Sequence, residues 1–172
     1  MADMRDRIPH DENALTKLLD AIPGYKGYRA REERRTADKL LRDHLVGLLD
    51  GMREKLFRFQ GEMSSRGEFK PVTDLDRVAR RLTRARDRLD HAPYGYAGFL
   101  DAVQINEAEL GRMYDYDLAL KDTLAQIETA ADQVIAVPAA EMDAALRELG
   151  NEIDEFARML DVRSEVATEM AP

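Results

Sequence analysis

Apolar residues recur along this chain at alternating steps of three and four. Leu110, Met113, Asp117, Leu120, Leu124, Ile127, Ala131 and Val134 fall on one stripe of a helix, and Met142, Leu146, Leu149, Ile153, Phe156 and Leu160 fall on another. Such heptad stripes must be buried against other helices, so they predict an all-α architecture. A short amphipathic helix is expected from about 11 to 22, with Leu15, Leu18, Leu19 and Ile22 on one face and Pro23-Gly24 as its stop. A long helix follows from about 30 to 65. Its stripe reads Ala37, Leu41, Leu45, Leu48, Met52, Leu56, Phe59, Met63, and Gly67 can end it. A third, with Thr73 or Asp74 as N-cap, reaches about His91 and buries Leu75, Val78, Leu82, Ala85 and Leu89.

After a loop from Pro93 to Ile105, Asn106 reads as an N-cap with Glu109 completing a capping box. The fourth helix then runs to about Ala136. Pro138 opens the fifth in its first turn, and that helix fades near Arg163. No segment shows the period-two alternation of a strand, and the apolar run from Gln133 to Val137 reads as the end of a helix. Short connections between long helices imply antiparallel neighbours. The expectation is one domain, 1–172, with 1–10 and 164–172 frayed. It is an antiparallel up-and-down bundle of four main helices plus a short N-terminal one.

Composition sharpens this picture by exclusion. The 172 residues suffice for one sizeable core, and 44% hydrophobic with 35% charged residues suits amphipathic helices rather than disorder. With no cysteine, disulfides, thiol catalysis and cysteine-ligated metals are excluded. No apolar run approaches the roughly 20 residues of a membrane span. Met1 to Asp11 is polar, unlike a signal peptide, so a cytoplasmic location is expected. The net charge of −8 is unevenly spread: 1–92 carry 21 basic and 17 acidic residues, and 93–172 carry 5 and 17. The two halves either face each other inside one bundle or serve outside partners; antiparallel packing favours the first.

Motifs for chemistry are few. There is no Glu-x-x-His for a di-iron centre, and His10, His44 and His91 form no pair at ligand spacing, so neither metal nor cofactor is expected. Nucleophile elbows and phosphate loops are missing as well. Asp117, in core phase between Met113 and Leu120, is the candidate buried polar residue. A register slip can hand its place to Tyr114 and Leu118 and leave it at a boundary. Alternatively it pairs with an arginine or tyrosine, or serves binding or catalysis.

Two Gly-Tyr loops supply Tyr25, Tyr28, Tyr94, Tyr96 and Phe99 as a candidate interaction surface. The plainer alternative has them meet and plug one end of the bundle. Arg77, Arg81, Arg84 and Arg88 form a stripe on the third helix that extends the candidate surface. The stripe is expected to face the acidic half of the same chain or a partner's acidic surface, with nucleic acid or an anionic membrane as the alternative. Gly47 and Gly51 lie at the spacing that permits close helix approach, with a flexible point in the long helix as the alternative.

The run Ile22-Pro23-Gly24-Tyr25-Lys26-Gly27-Tyr28, followed by the charged Arg29 to Arg35 and later by Tyr94-Gly95-Tyr96-Ala97-Gly98-Phe99, resembles small helical bacterial proteins of uncharacterised function. The resemblance covers two short loops and a helix start. It implies a bacterial source and carries no activity or site. The functional expectation is a non-enzymatic helical bundle that acts through protein–protein contact, with an unknown partner or a second copy of itself. The alternative is a peripheral membrane or nucleic-acid binder using the arginine face of the third helix, and a third class is an enzyme or metal carrier built around Asp117 and the acidic helices.

Overall fold

The chain's structure, a computed structural model, describes residues 4–92 and 97–170. Helices are the only regular elements among those residues, with no strand: α1 (Ala14–Ala21), α2 (Arg34–Ser65), α3 (Phe69–Asp90), α4 (Ala97–Asp101), α5 (Glu107–Ala136) and α6 (Met142–Glu169), plus single 3-10 turns at Met4–Arg7 and Arg31–Glu33.

Local sequence accounts for the helix ends. Gly67 adopts φ 78°, the left-handed conformation that glycine tolerates. There the Glu68 N–H donates to the Met63 carbonyl and the Gly67 N–H to the Ser64 carbonyl, both at 3.1 Å, which closes α2 in a Schellman turn. The chain leaves this turn ready to coil again, so α3 starts at Phe69, earlier than the Thr73 or Asp74 cap predicts. Pro71 is tolerated because the first turn has no use for its missing N–H. At α5 the capping box forms as expected. The Glu109 N–H donates to Asn106 Oδ1 and the Asn106 N–H to Glu109 Oε2, both at 2.9 Å. Pro138 instead precedes its helix, in a turn closed by Glu141 N–H to the Pro138 carbonyl at 2.9 Å.

The apolar stripes are buried. Leu45, Met52, Leu56, Leu120, Leu124, Ile127, Leu149, Ile153 and Phe156 are each at most 3% exposed. One position departs: Leu48 is 37% exposed and Leu49 takes its place, because α2 advances by four residues from Leu45 before the steps of three resume. Leu19 of α1 also faces out, while Ala14, Leu18 and Ile22 carry its packing against α5. Gly47 and Gly51 stand in open space, so their spacing serves no close helix approach within this chain.

Polar partners between helices give the directions. Arg86 with Asp50 and Gln60 with the Val72 carbonyl run oppositely along α2 and α3. Thr123 with Met159 and Asp117 with Arg163 do so along α5 and α6. These hairpins are antiparallel, as short connections require. Lys70 with Asp143, Arg81 with Asp154 and Arg88 with Asp161 advance together, so α3 and α6 run parallel. Lys55 with Asp132 near one end, and Asp38 and Asp117 sharing Arg163 near the other, make α2 and α5 parallel too. Each long helix therefore packs against one antiparallel and one parallel neighbour. The segment after α3, expected to be plain loop, contains α4 and brings Phe99, Leu100 and Ala102 into the core.

Among the described residues, the segment from Met4 to Asp11 and the last turns of α6 contact neighbouring helices, and residues 1–3 and 171–172 lie outside the described residues. Val166 and Ala167 are buried on α6, whose last turns extend past Arg163. Arg5 pairs with Glu165 at 3.0 Å and Glu169 at 2.9 Å, and Arg7 with Glu155 at 3.1 Å. Asp115 of α5 accepts from the Asp11 N–H at 2.9 Å and meets His10 Nδ1 at 2.8 Å. That carboxylate raises the His10 pKa above 6.5, first through its hydrogen bond and then through its charge. A pKa raised on folding means this contact contributes fully below the unfolded value and is lost as pH rises through the higher folded value. Amide exchange across residues 4–13 should therefore be faster at about pH 9 than at about pH 6 after correction for intrinsic rates. His10→Gln should abolish the difference, and a corrected rate independent of pH in the parent chain would remove His10 as the cause.

Candidate functional site

The most unusual local chemistry lies where α2 begins, α6 ends and the connector after α1 passes between them. Gly27, at φ 77°, turns that connector inward and delivers Tyr28 to the core. The Tyr28 N–H donates to the Tyr114 hydroxyl at 2.8 Å, and the two rings stack at 5.6 Å. The Tyr28 hydroxyl donates to Asp117 Oδ2 at 2.6 Å, and Arg163 Nε donates to the other carboxylate oxygen. Arg163 also reaches Asp38 at 3.2 Å, and Asp38 is held from its own helix by Arg42 at 2.9 Å. The charges alternate: Asp117, Arg163, Asp38, Arg42. Beside them, Arg34 donates to the carbonyls of Tyr28 at 2.8 Å and Ala102 at 2.7 Å, clamping the two loops together.

Asp117 is therefore an inward residue, 0% exposed, with an arginine and a tyrosine as its partners. No register slip is needed, because Tyr114 and Leu118 are buried as well and α5 is enclosed on several sides here. Burial pushes the Asp117 carboxyl above its ordinary value, while the Arg163 charge and the hydrogen bonds from Arg163 and Tyr28 pull it back. Burial likewise pushes the Tyr28 phenol well up, with the Asp117 charge adding to it. Asp117, Arg163 and Tyr28 are closed off from solvent. Their arrangement can fix helix register and hold the loops.

The two loops do meet, but not as a surface. Tyr28 and Phe99 pack edge to face at 5.1 Å, and Tyr25 and Tyr28 at 5.9 Å. With exposures of 4%, 0% and 1%, Tyr25, Tyr28 and Phe99 are withdrawn from the expected interaction surface. Their large apolar rings gain more from closing the helix ends than from solvent. Tyr94 and Tyr96 lie outside the described residues.

The arginine stripe is divided. Arg81 meets Asp154 at 3.3 Å and Arg88 meets Asp161, both across to α6. Arg77 pairs within its own helix, with Asp74 at 3.3 Å. Arg84 is exposed and makes no ion pair among the described residues. Two of the four thus face the acidic half of the chain. Among the described residues no three His, Cys, Asp or Glu come together as a metal ion would need, and no helix is long and apolar enough to cross a membrane.

A groove between α5 and α6 was not foreseen from sequence. It consists of two hollows of about 460 and 390 Å³ that share Gln126 and Glu152. Arg7, Ile8 and Pro9 line the first of them. Beyond them, Glu148 and Glu152 make no ion pair among the described residues, over a floor that includes Ala125 and Ala130. Burial, then the neighbouring Glu148 and Glu155, raises the Glu152 carboxyl. The acidic excess of residues 93–172 was visible in the sequence; that α5 and the N-terminal segment flank the glutamates of α6 was not. Compared with family models, curated proteins and solved structures, the chain gives no match, so any functional reading rests on its own geometry.

Proposed function

We propose that this chain is a non-enzymatic four-helix bundle that binds a partner protein, and that the α5–α6 groove receives an arginine-bearing segment of that partner. The observation that carries this reading is the half-occupied groove. The chain's own N-terminal segment already sets Arg7 on Glu155 of α6 in the first hollow, with Ile8 packed against the core. The same acidic, apolar-floored track continues past it without cations. Charge complementarity of this kind sets orientation and selects against acidic partners. Lysine and arginine stems also cover apolar surface while their heads stay with carboxylates.

The test uses a fluorescein-labelled peptide, acetyl-Arg-Leu-Ala-Arg-Leu-Ala-Arg-amide, titrated with the full chain and followed by anisotropy and amide chemical shifts. Saturable binding should perturb residues 125–133 and 148–155. The double substitution Glu148→Lys with Glu152→Lys should weaken it at least about tenfold, ~1.4 kcal/mol. Both positions border solvent, so circular dichroism should stay unchanged. Equal affinity in parent and variant, or shifts scattered over α2 and α3, would remove the groove from the reading.

A further inference from the structure

The parallel pairing of α3 and α6 has a chemical consequence at the other side of α6. These two begin at the same end, α3 at Phe69 and α6 at Met142, so basic residues of the first half of α3 stand beside those of the first turns of α6. Between their N-terminal halves is a cleft of about 280 Å³. Three guanidinium groups line it, those of Arg77, Arg81 and Arg147, above an apolar floor of Val78 and Leu146. From these observations we propose that the cleft binds the phosphoryl group of a small phosphate monoester.

The two carboxylates in the wall do not close the site to an anion. Lys70 spans them, 3.3 Å from Asp74 and 3.2 Å from Asp143. Arg81 is held in place from behind. It reaches Asp154 across buried Gly150, where an added Cβ would stand 3.1 Å from its Nη1. Glycine inside a helix costs roughly 1 kcal/mol relative to alanine, and the passage of the Arg81 side chain is the packing reason for it here. Arg147 is exposed and has no ion pair among the described residues, and Arg77 has only its own-helix partner at 3.3 Å. Planar guanidinium forks match phosphate oxygens in pairs, which a lysine point charge does not. In a chain of net charge −8, this is a local concentration of cations with donors to spare. The volume, about 280 Å³, lies just below the roughly 300–1,000 Å³ typical of small-molecule sites, which suits a small ligand. The floor favours an organic body beside the phosphoryl group, and Arg88, farther along α3, is already committed to Asp161. A long nucleic-acid track is thereby disfavoured.

The experiment titrates the full chain with phenyl phosphate, with inorganic phosphate and with duplex DNA, read by amide chemical shifts. Phenyl phosphate should bind saturably with shifts confined to residues 70–82 and 142–151, and several-fold more tightly than inorganic phosphate. Arg77→Gln with Arg147→Gln, both at exposed positions that leave the core intact, should weaken it about tenfold or more. Glu148→Lys with Glu152→Lys should leave the cleft's floor and its other lining groups in place, so failure of the groove reading and of this one remain distinguishable. No saturation by about 10 mM phenyl phosphate, a regime weaker than useful small-molecule recognition, would overturn the proposal. So would unchanged affinity in the arginine variant. Equal affinity for inorganic phosphate would reassign the cleft to the free ion. Tighter binding of duplex DNA through the same residues would reassign it to nucleic acid.

Discussion

Asp117→Leu and Arg163→Met should each lower the stability of this chain by about 3–5 kcal/mol, the cost of stranding one member of a buried ion pair. The two residues share a hydrogen-bonded contact at the closed end of the helices, and neither has water to fall back on. Leucine at 117 leaves the Arg163 guanidinium facing only Asp38 and the Tyr28 hydroxyl among these partners. Methionine at 163 leaves two buried carboxylates, of which Asp38 alone keeps an arginine, Arg42. For a chain of this size 1 kcal/mol shifts the melting temperature by roughly 2–4 °C, so each single variant should melt about 6–20 °C lower. The double variant should lose less than the sum of the singles, because no charge is then stranded at that contact, with a coupling of about 0.5–3 kcal/mol. Tyr25→Phe is the control: the Tyr25 hydroxyl is buried with no hydrogen-bond partner among the described residues, so removing it should not destabilise the fold. Urea melts at neutral pH read all four. An Asp117→Leu midpoint equal to that of the parent chain would show that the contact does not hold the helices in place.

Gly27→Ala should be the most damaging of the loop substitutions, at about 2–5 kcal/mol, from two independent causes. Its φ of 77° is the left-handed region, which costs a residue with a Cβ about 1–2 kcal/mol. Its Cβ would also stand 2.6 Å from the Tyr114 hydroxyl and 3.0 Å from a Leu15 methyl. That hydroxyl accepts the Tyr28 N–H and cannot retreat without leaving a buried donor unpaired, so overpacking adds about 1–3 kcal/mol. Gly67 supplies the comparison. Its φ is 78°, but nothing lies within 4 Å of the added Cβ, so Gly67→Ala should lose only the backbone part, about 1–2 kcal/mol. If the two alanine variants prove equally stable, the close approach of Gly27 to Tyr114 is not a constraint on the fold.

Helix content was legible because periodicity and capping are local. The stripes around Leu124 and Ile153, the Asn106–Glu109 box and the Gly67 stop each need only a few neighbouring residues to be read. Burial of the stripes followed directly, since an apolar face must leave water whichever partner it finds. The exceptions were also local in origin. Leu48 and Leu49 are both apolar, and spacing alone does not choose between them. Pro71 can stand at a boundary or inside a first turn with equal ease.

Helix direction and the meaning of Asp117 were decided by tertiary structure. Antiparallel hairpins follow from short connections, but the pairing of one hairpin with the other depends on which long-range contacts form. No local pattern encodes the parallel run of Lys70, Arg81 and Arg88 along Asp143, Asp154 and Asp161. An aspartate in core phase signals only that a cost must be met; its counter-charge lies 46 residues away on α6, and the phenol 89 residues away in a connector. The same holds for the tyrosines. Their composition suits a binding surface, and it was the meeting of two distant loops under the Arg34 clamp that buried Tyr28 and Phe99 instead. Local rules specify what each segment must hide. Long-range packing, where free energies of a few kcal/mol separate alternatives, specifies what it hides against.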